Sequence, residues 1–166
     1  MSRSLTHELV RHRHLSFSQR STRYVDENKA NMIPPAIVSQ NPEAEAAFQD
    51  LISHASLSYE KIAAALRKDP KILAIEDKTA RRKAVREAAR SVLPSATETR
   101  VVVTGNLRAW RHFIRMRATA FADPEIRRLA VEILRLLKKT YPAVFQDYEI
   151  VKEGEIDVAR STLTWD

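Results

Sequence analysis

Fourteen consecutive residues, Arg11 to Tyr24, hold four Arg, two His, three Ser, one Thr and one Gln. Guanidinium forks pair bidentately with phosphate and carbonyl oxygens, and hydroxyls with an amide complete the shell around a nucleotide's phosphate and base. The mixture points to an anionic, polar ligand. Spacing sets no general base beside Ser21, and a phosphate-binding hydroxyl needs none, so phosphate contact is favoured over covalent catalysis. Glu8 precedes Arg11 by one helical turn, where both side chains would face one ligand or pair with each other. Arg127 falls in the first turn of a helix, where a cation opposes the dipole, so its position calls for a reason other than helix stability. The chain has no Cys, which excludes disulfides, thiolate metal sites and a Cys nucleophile. His7, His12, His14, His54 and His112 have no metal-like spacing with acidic residues, and no metal site is expected.

Arg11-His12-Arg13, seven residues, Ser21, and Arg23 two further on together resemble the signature of the flavin-dependent thymidylate synthases. The likeness continues through Thr99-Arg100, Thr104-Gly105-Asn106 and Glu125-Ile126-Arg127. It implies methylation of dUMP to dTMP, with methylenetetrahydrofolate as carbon donor and NADPH-reduced FAD as hydride source. It also implies a homotetramer whose active sites form at subunit interfaces. By this resemblance Arg11, Ser21 and Arg23 contact dUMP, the last two near its phosphate, with the backbone of Leu9, Val10, Arg20 and Thr22 joining them. Glu8 lies near the pyrimidine, and Gln19 touches both nucleotide and flavin, at a position where many relatives carry Glu. Arg100 also belongs to the dUMP set. Arg127 takes the catalytic role: it binds the uracil and stabilises its ionised N3, which makes the ring carbon a better nucleophile without a protein thiol.

For FAD the resemblance implies Arg11, His12, Arg13, Gln19, Met116, Arg117, Ala118 and Ala122. Of the family's Asn-spacer-Arg segment only Arg117 matches. Phe121-Ala122-Asp123-Pro124 departs from the frequent His-Ala-Gln, which leaves Ala122 with backbone or apolar contact. Family members carry a further segment before the signature, holding strands and a His and a Ser that help bind FAD. On that pattern this chain is an N-terminally short version of the fold, expected to retain dUMP contacts better than flavin contacts.

These residues need elements to position them. The 166 residues suit one domain spanning 1–166, with 148–166 as a small hairpin or a loose tail. Leu5, Leu9, Val10 and Leu15 predict a helix from Leu5 to about Ser16, running into a ligand-binding loop. Pro34-Pro35 and scattered Asn predict a loop from Tyr24 to Gln40. Asn41-Pro42-Glu43 opens a long helix whose stripe of Phe48, Leu51, Ile52, Ala55, Tyr59, Ile62, Ala63 and Leu66 predicts core or a subunit interface. Asp77 to Ser91 reads as a basic helix and Arg100 to Thr104 as a strand ending at Gly105-Asn106. Leu107 to Thr119 predicts an Arg-dense helix, and Asp123-Pro124-Glu125 caps another, with Ile126, Leu129, Ala130, Ile133, Leu134 and Leu137 at helical spacing until Tyr141-Pro142. Trp110 and Phe113 have the surface to stack on a flavin or a base, but core packing is favoured. The fold class expected is α+β, rich in helix with few strands.

The net charge of +7 and pI near 9.9 suggest anionic partners without choosing among nucleic acid, membrane surface and phosphorylated metabolites. No apolar run approaches the ~20 residues that span a bilayer, and the first residues lack a signal peptide's apolar core, so a cytoplasmic protein is expected. The ordered signature ranks the flavin-dependent enzyme first, or a truncated, catalytically silent nucleotide-binding relative of it. A basic helical nucleic-acid-binding module and a structural oligomerisation module are the competing readings, and no specific nucleic acid is expected as partner.

Overall fold

The first helix, α1 (Arg3–Leu9), is shorter than its apolar spacing predicts. In this computed structural model, which describes residues 1–24 and 30–163, the chain turns after Leu9. Backbone N–H groups of Arg11, His12 and Leu15 bond to the carbonyls of Glu8, Leu9 and His12, and strand β1 (Ser16–Gln19) follows. Glu8 and Arg11 therefore do not share a helix face, and Leu15 is buried without a helix to place it there. The loop expected between Tyr24 and Gln40 contains a short helix, α2 (Ala36–Ser39), behind Pro34-Pro35. Residues 25–29 of that loop, and 164–166 of the expected tail, lie outside the described residues.

Later helices begin where their caps stand. Asn41 Oδ1 accepts the N–H groups of Glu43 and Ala44, and Pro42 opens α3 (Pro42–Leu66) with a ring that needs no N–H partner. Asp69 caps α4 (Pro70–Leu73), a turn not anticipated from sequence. Asp77 caps α5 (Lys78–Ala89), which tightens into a 3₁₀ turn at Arg90–Val92. Strand β2 (Val101–Thr104) precedes Asn106, whose Oδ1 accepts from Ala109 N at 2.9 Å and starts α6 (Leu107–Arg117). Asp123 caps α7 (Pro124–Thr140), and a 3₁₀ turn at Pro142–Val144 leads into β3 (Tyr148–Glu153) and β4 (Ile156–Ser161). Among the described residues the strands form two two-stranded sheets, β1 with β2 and β3 with β4, so the fold is α+β and helix-rich.

The chain divides into two compact units, the first made of Met1–Ser4 with Gln19–Val101 and the second of Leu5–Ser18 with Val102–Asp166. In the first, Tyr59 and Ala63 of α3 meet Val85 and Ala89 of α5, with Ile62, Leu66, Ile72, Val92 and Leu93 packed around them. The expected stripe on α3 is buried only at Ala55, Tyr59 and Ala63, and Leu51 is exposed. Residues 97–99 run between two extended segments, bridged by Ser2 to Glu98 and by Met32 to Thr97.

The second unit centres on Phe113 and Ile114 of α6 and Ile126, Ala130 and Leu134 of α7, all fully buried, with β4 packed against both helices. Residues after Tyr148 form the hairpin rather than a loose tail as far as Ser161: β3 and β4 pair antiparallel from Tyr148↔Ser161 to Glu153↔Ile156. The two-residue turn has Gly154 at φ 62°, the position where a type II′ hairpin requires glycine. Ala159 N–H bonds to Ala118 O at 2.7 Å and ties the hairpin to the end of α6. Arg111 and Asp147 form a bidentate pair at 2.6 and 2.8 Å, and Ser161 Oγ donates to the same carboxylate at 2.5 Å. The guanidinium lies 4.8 Å from the centre of the Tyr148 ring, whose hydroxyl donates to Arg111 O.

Candidate functional site

Most of the polar residues singled out from sequence fall into two cationic clusters, one in each unit, and Arg127 lies at a separate cavity of the second unit. In the second unit, the turn after α1 and one face of α6 enclose a cavity of about 300 Å³. Arg11, His12, Arg13 and His14 come from the turn, and Ala109, His112, Met116 and Arg117 from the helix. Arg117 organises it. Its Nη1 pairs with Glu8 Oε2 at 2.6 Å, and its Nε donates to His12 Nε2 at 2.9 Å. An imidazole nitrogen that accepts from a guanidinium is unprotonated, so His12 carries its proton on Nδ1. Burial, then the charges of Arg117 and His112, hold the His12 pKa down at about 4. The ring is also wedged edge-on against Phe113, with centroids 5.0 Å apart. His12 is thus a neutral group in a wall of cations. Arg11 and Arg13 are exposed and have no side-chain partner among the described residues.

Five of the flavin residues expected from the resemblance line this cavity: Arg11, His12, Arg13, Met116 and Arg117. Ala118 and Ala122 do not. Ala118 is fully buried with its carbonyl taken by Ala159, and the Ala122 carbonyl accepts from Arg127. Glu8 is held by Arg117, Leu9 is buried and Val10 is exposed. Sequence reasoning set aside His112 and His14, and passed over Ala109. The spacing 109, 112, 116 on one helix was the available signal, since positions three and four apart share a face. Phe113 is core and meets Trp110 at a right angle, 5.8 Å between centroids.

Arg127 sits four residues past the Asp123 cap, only 8% exposed. Helical side chains lean toward the N-terminus, and this one reaches back so that Nη1 donates to the carbonyls of Ala120 and Ala122, each at 3.3 Å. Those two oxygens offset the repulsion between the cation and the start of α7. Nε and Nη2 have no partner among the described residues. The side chain also lines a cavity of about 350 Å³ with Arg128, Glu132, Arg135 and the β3–β4 hairpin.

In the first unit the second half of the signature is fastened to α5. Thr22 is buried and its Oγ1 accepts from Arg90 Nη1 at 3.0 Å, while Arg23 lies 3.6 Å from Glu87. Ser21 Oγ accepts the Arg23 N–H at 3.3 Å, which leaves its O–H as a donor without a partner among the described residues. Gln19 Nε2 donates to Thr99 Oγ1 at 3.4 Å, and Arg20 N–H to Arg100 O at 2.8 Å, so Gln19 and Arg20 run beside Thr99-Arg100. The Arg100 side chain is exposed. A small cavity of about 100 Å³ opens between Arg23-Tyr24 and Thr79, Arg82, Lys83 and Arg86 of α5. No described helix is long and apolar enough to cross a membrane.

Residues 1–143 match the family model described as thymidylate synthase complementing protein. The chain is 50% identical over 164 residues to a flavin-dependent thymidylate synthase of Mycolicibacterium gilvum, covering 98% of this chain and 65% of the relative. It is 48% identical over 158 residues to one from Corynebacterium diphtheriae, covering 94% and 62%, and 46% identical over 167 residues to one from Mycobacteroides abscessus, covering 100% and 66%. The chain spans just under two thirds of the length of these relatives.

Proposed function

Because the chain belongs to the thymidylate synthase complementing protein family, we propose that residues 1–166 act as one flavin-dependent thymidylate synthase domain. It methylates dUMP to dTMP, with methylenetetrahydrofolate as carbon donor and NADPH as reductant. FAD, when bound, supplies the hydride that completes the methyl group. The protein works as a cytoplasmic homotetramer assembled through its long helices, in which the contacts to one nucleotide come from more than one subunit. It needs neither a membrane nor a specific nucleic acid.

The observation that carries this reading is the cavity at the turn after α1, where the signature's Arg11, His12 and Arg13 meet Met116 and Arg117. Its donor set fits FAD: Arg11 and Arg13 present charge-assisted donors to a pyrophosphate, and Met116 offers an apolar contact. Neutral His12 adds a donor at Nδ1 without adding charge. For dUMP, Ser21 gives its O–H donor and Arg23 its guanidinium to the phosphate, beside backbone at Arg20 and Thr22. Glu8, Leu9, Val10, Gln19 and Arg100 complete the set. Arg127 is the catalytic residue. Its Nε and Nη2, without a partner among the described residues and at the positive end of α7, stabilise negative charge on the uracil as N3 ionises. The ionised ring directs electron density to its nucleophilic carbon, which a chain without Cys must achieve without a thiol.

The test is release of tritium from position 5 of labelled dUMP in the presence of FAD, NADPH and methylenetetrahydrofolate. Arg127→Ala is expected to lose about 10²–10³-fold in rate, the scale for removing one preorganised donor to developing charge. A thermal melt of the variant separates this loss from release of the Ala120 and Ala122 carbonyls. Absence of release with dUMP still bound in calorimetry would leave a catalytically silent nucleotide binder. Absence of both would sink the reading.

A further inference from the structure

A cavity of about 510 Å³ in the first unit is lined by five cations: Arg67 at the end of α3, and Lys78, Arg81, Arg82 and Arg86 on α5. Among the described residues no carboxylate lines it, and its floor is apolar, made by Ile72, Leu73 and Val85. None of Arg67, Lys78, Arg81 and Arg82 forms an ion pair with a described residue. Among the described residues Arg81 and Arg82 are engaged with neutral oxygens, Glu76 O and Thr79 Oγ1, both at 3.3 Å. Of the two acids just before α5, Asp77 is committed as the cap, its Oδ1 accepting from Ala80 N at 2.6 Å, and Glu76 is exposed and does not line the cavity. Lys78 and Arg81 occupy the first turn of α5, which holds no acidic residue. Asp77 offsets part of the helix dipole, but the cations there still repel one another, a cost that an anion in the cavity reduces. Leu73 is 53% exposed on the floor, and an anion alone would leave it so.

We propose that this cavity is a second nucleotide site, taking a ligand with a diphosphate or longer phosphate chain and a flat base or comparable apolar body. Arg forks and Lys78 receive the phosphates, and the base covers Ile72, Leu73 and Val85. The volume lies within the ~300–1,000 Å³ of small-molecule sites. The cationic face of α5 is continuous: Arg82 and Arg86 line this cavity and also the smaller one beside Arg23 and Tyr24. The phosphate chemistry of the signature therefore extends along α5 to the end of α3. The inference goes beyond the proposed dUMP site and uses none of its residues.

The probes are ADP, inorganic pyrophosphate and a single-stranded oligonucleotide, titrated calorimetrically against the intact chain, against Arg67→Gln and against Lys78→Gln with Arg81→Gln. Circular dichroism establishes that each variant is folded, and Arg67→Gln removes a side chain with no partner among the described residues. ADP is expected to bind more tightly than pyrophosphate and to lose about tenfold in each variant, as for loss of a charged hydrogen bond. Affinity for dUMP is expected to stay unchanged in both, which keeps this result separate from the fate of the thymidylate synthase reading. Absence of ADP binding, equal affinity in the intact chain and both variants, or pyrophosphate binding as tightly as ADP would overturn the proposal. Preference for the oligonucleotide, lost in the same variants, would reassign the cavity to a nucleic-acid strand and overturn it equally.

Discussion

The substitution Asp147→Asn removes one charge from the clamp that joins α6 to the β3–β4 hairpin. The side chains of Asp147 and Arg111 are 8% and 16% exposed, and the pair is bidentate. Hydrogen bonds from Arg111, with a smaller contribution from Ser161, hold the Asp147 carboxyl down at about 2 against an ordinary 3.8, although burial acts the other way. That difference corresponds to at most roughly 2.5 kcal/mol of folding stability, at about 1.4 kcal/mol per tenfold. Solvent screening reduces it to about 1–2 kcal/mol. The neutral amide would also leave Arg111 with a poorer acceptor, so the total expected cost at pH 7 is about 2–3 kcal/mol. The native state binds the proton less tightly than the unfolded chain, so the carboxylate's contribution is complete above 3.8 and disappears as pH falls through about 2. At pH 3 about half of it remains by the same linkage. Urea unfolding of both proteins at pH 7, 5 and 3 measures the gap. A gap that is constant between pH 7 and 3, or under about 0.5 kcal/mol at pH 7 where surface pairs lie, would refute the argument.

Two further outcomes are expected. By proton-resolved NMR His12 titrates near 4, and Arg117→Gln moves its pKa upward by removing a neighbouring charge. Because folding lowers this pKa from 6.5, the stability that neutral His12 provides is present above pH 6.5 and is lost as pH falls toward 4, a loss to be sought in the midpoint of a denaturant titration. Gly105→Ala would drive its Cβ into Leu15 Cδ2; Leu15 is buried, so overpacking costs about 1–3 kcal/mol, and a variant melting within about 1 °C of the parent would contradict that crowding.

The helix starts were legible in the sequence because a cap is a short-range event: Asn41, Asp77, Asn106 and Asp123 each accept from an N–H two or three residues on. The early helix was overextended because Leu15 completes its apolar stripe, whereas Leu15 is buried by packing near Gly105 and not by helical phase. Strand β1 was not legible: its burial alternates only between exposed and half-buried, and its partner β2 lies more than eighty residues on. The hairpin could be read as one of two alternatives from Glu153-Gly154, but the carbonyl of Ala118 that anchors it could not. Within the candidate site, the residue types were visible and their partners were not. Arg117 was named for flavin, yet the contacts that fix it, to Glu8 and His12, span separations of 109 and 105 residues. No local pattern records such a contact.

The loose pairing of Arg23 with Glu87 has a consequence for selectivity. A carboxylate 3.6 Å away, with both side chains between a third and a half exposed, is a resident competitor for the guanidinium. An incoming anion competes with it at Nη1, while the other N–H groups of the guanidinium stay open to it. Chloride or acetate offers no more charge than the group it replaces, whereas a phosphate dianion offers twice as much and more acceptor oxygens. For a partly exposed pair that competition is worth no more than ~0–1 kcal/mol, so the acid on α5 trims the affinity of Arg23 for monoanions more than for a phosphate dianion without closing it to either.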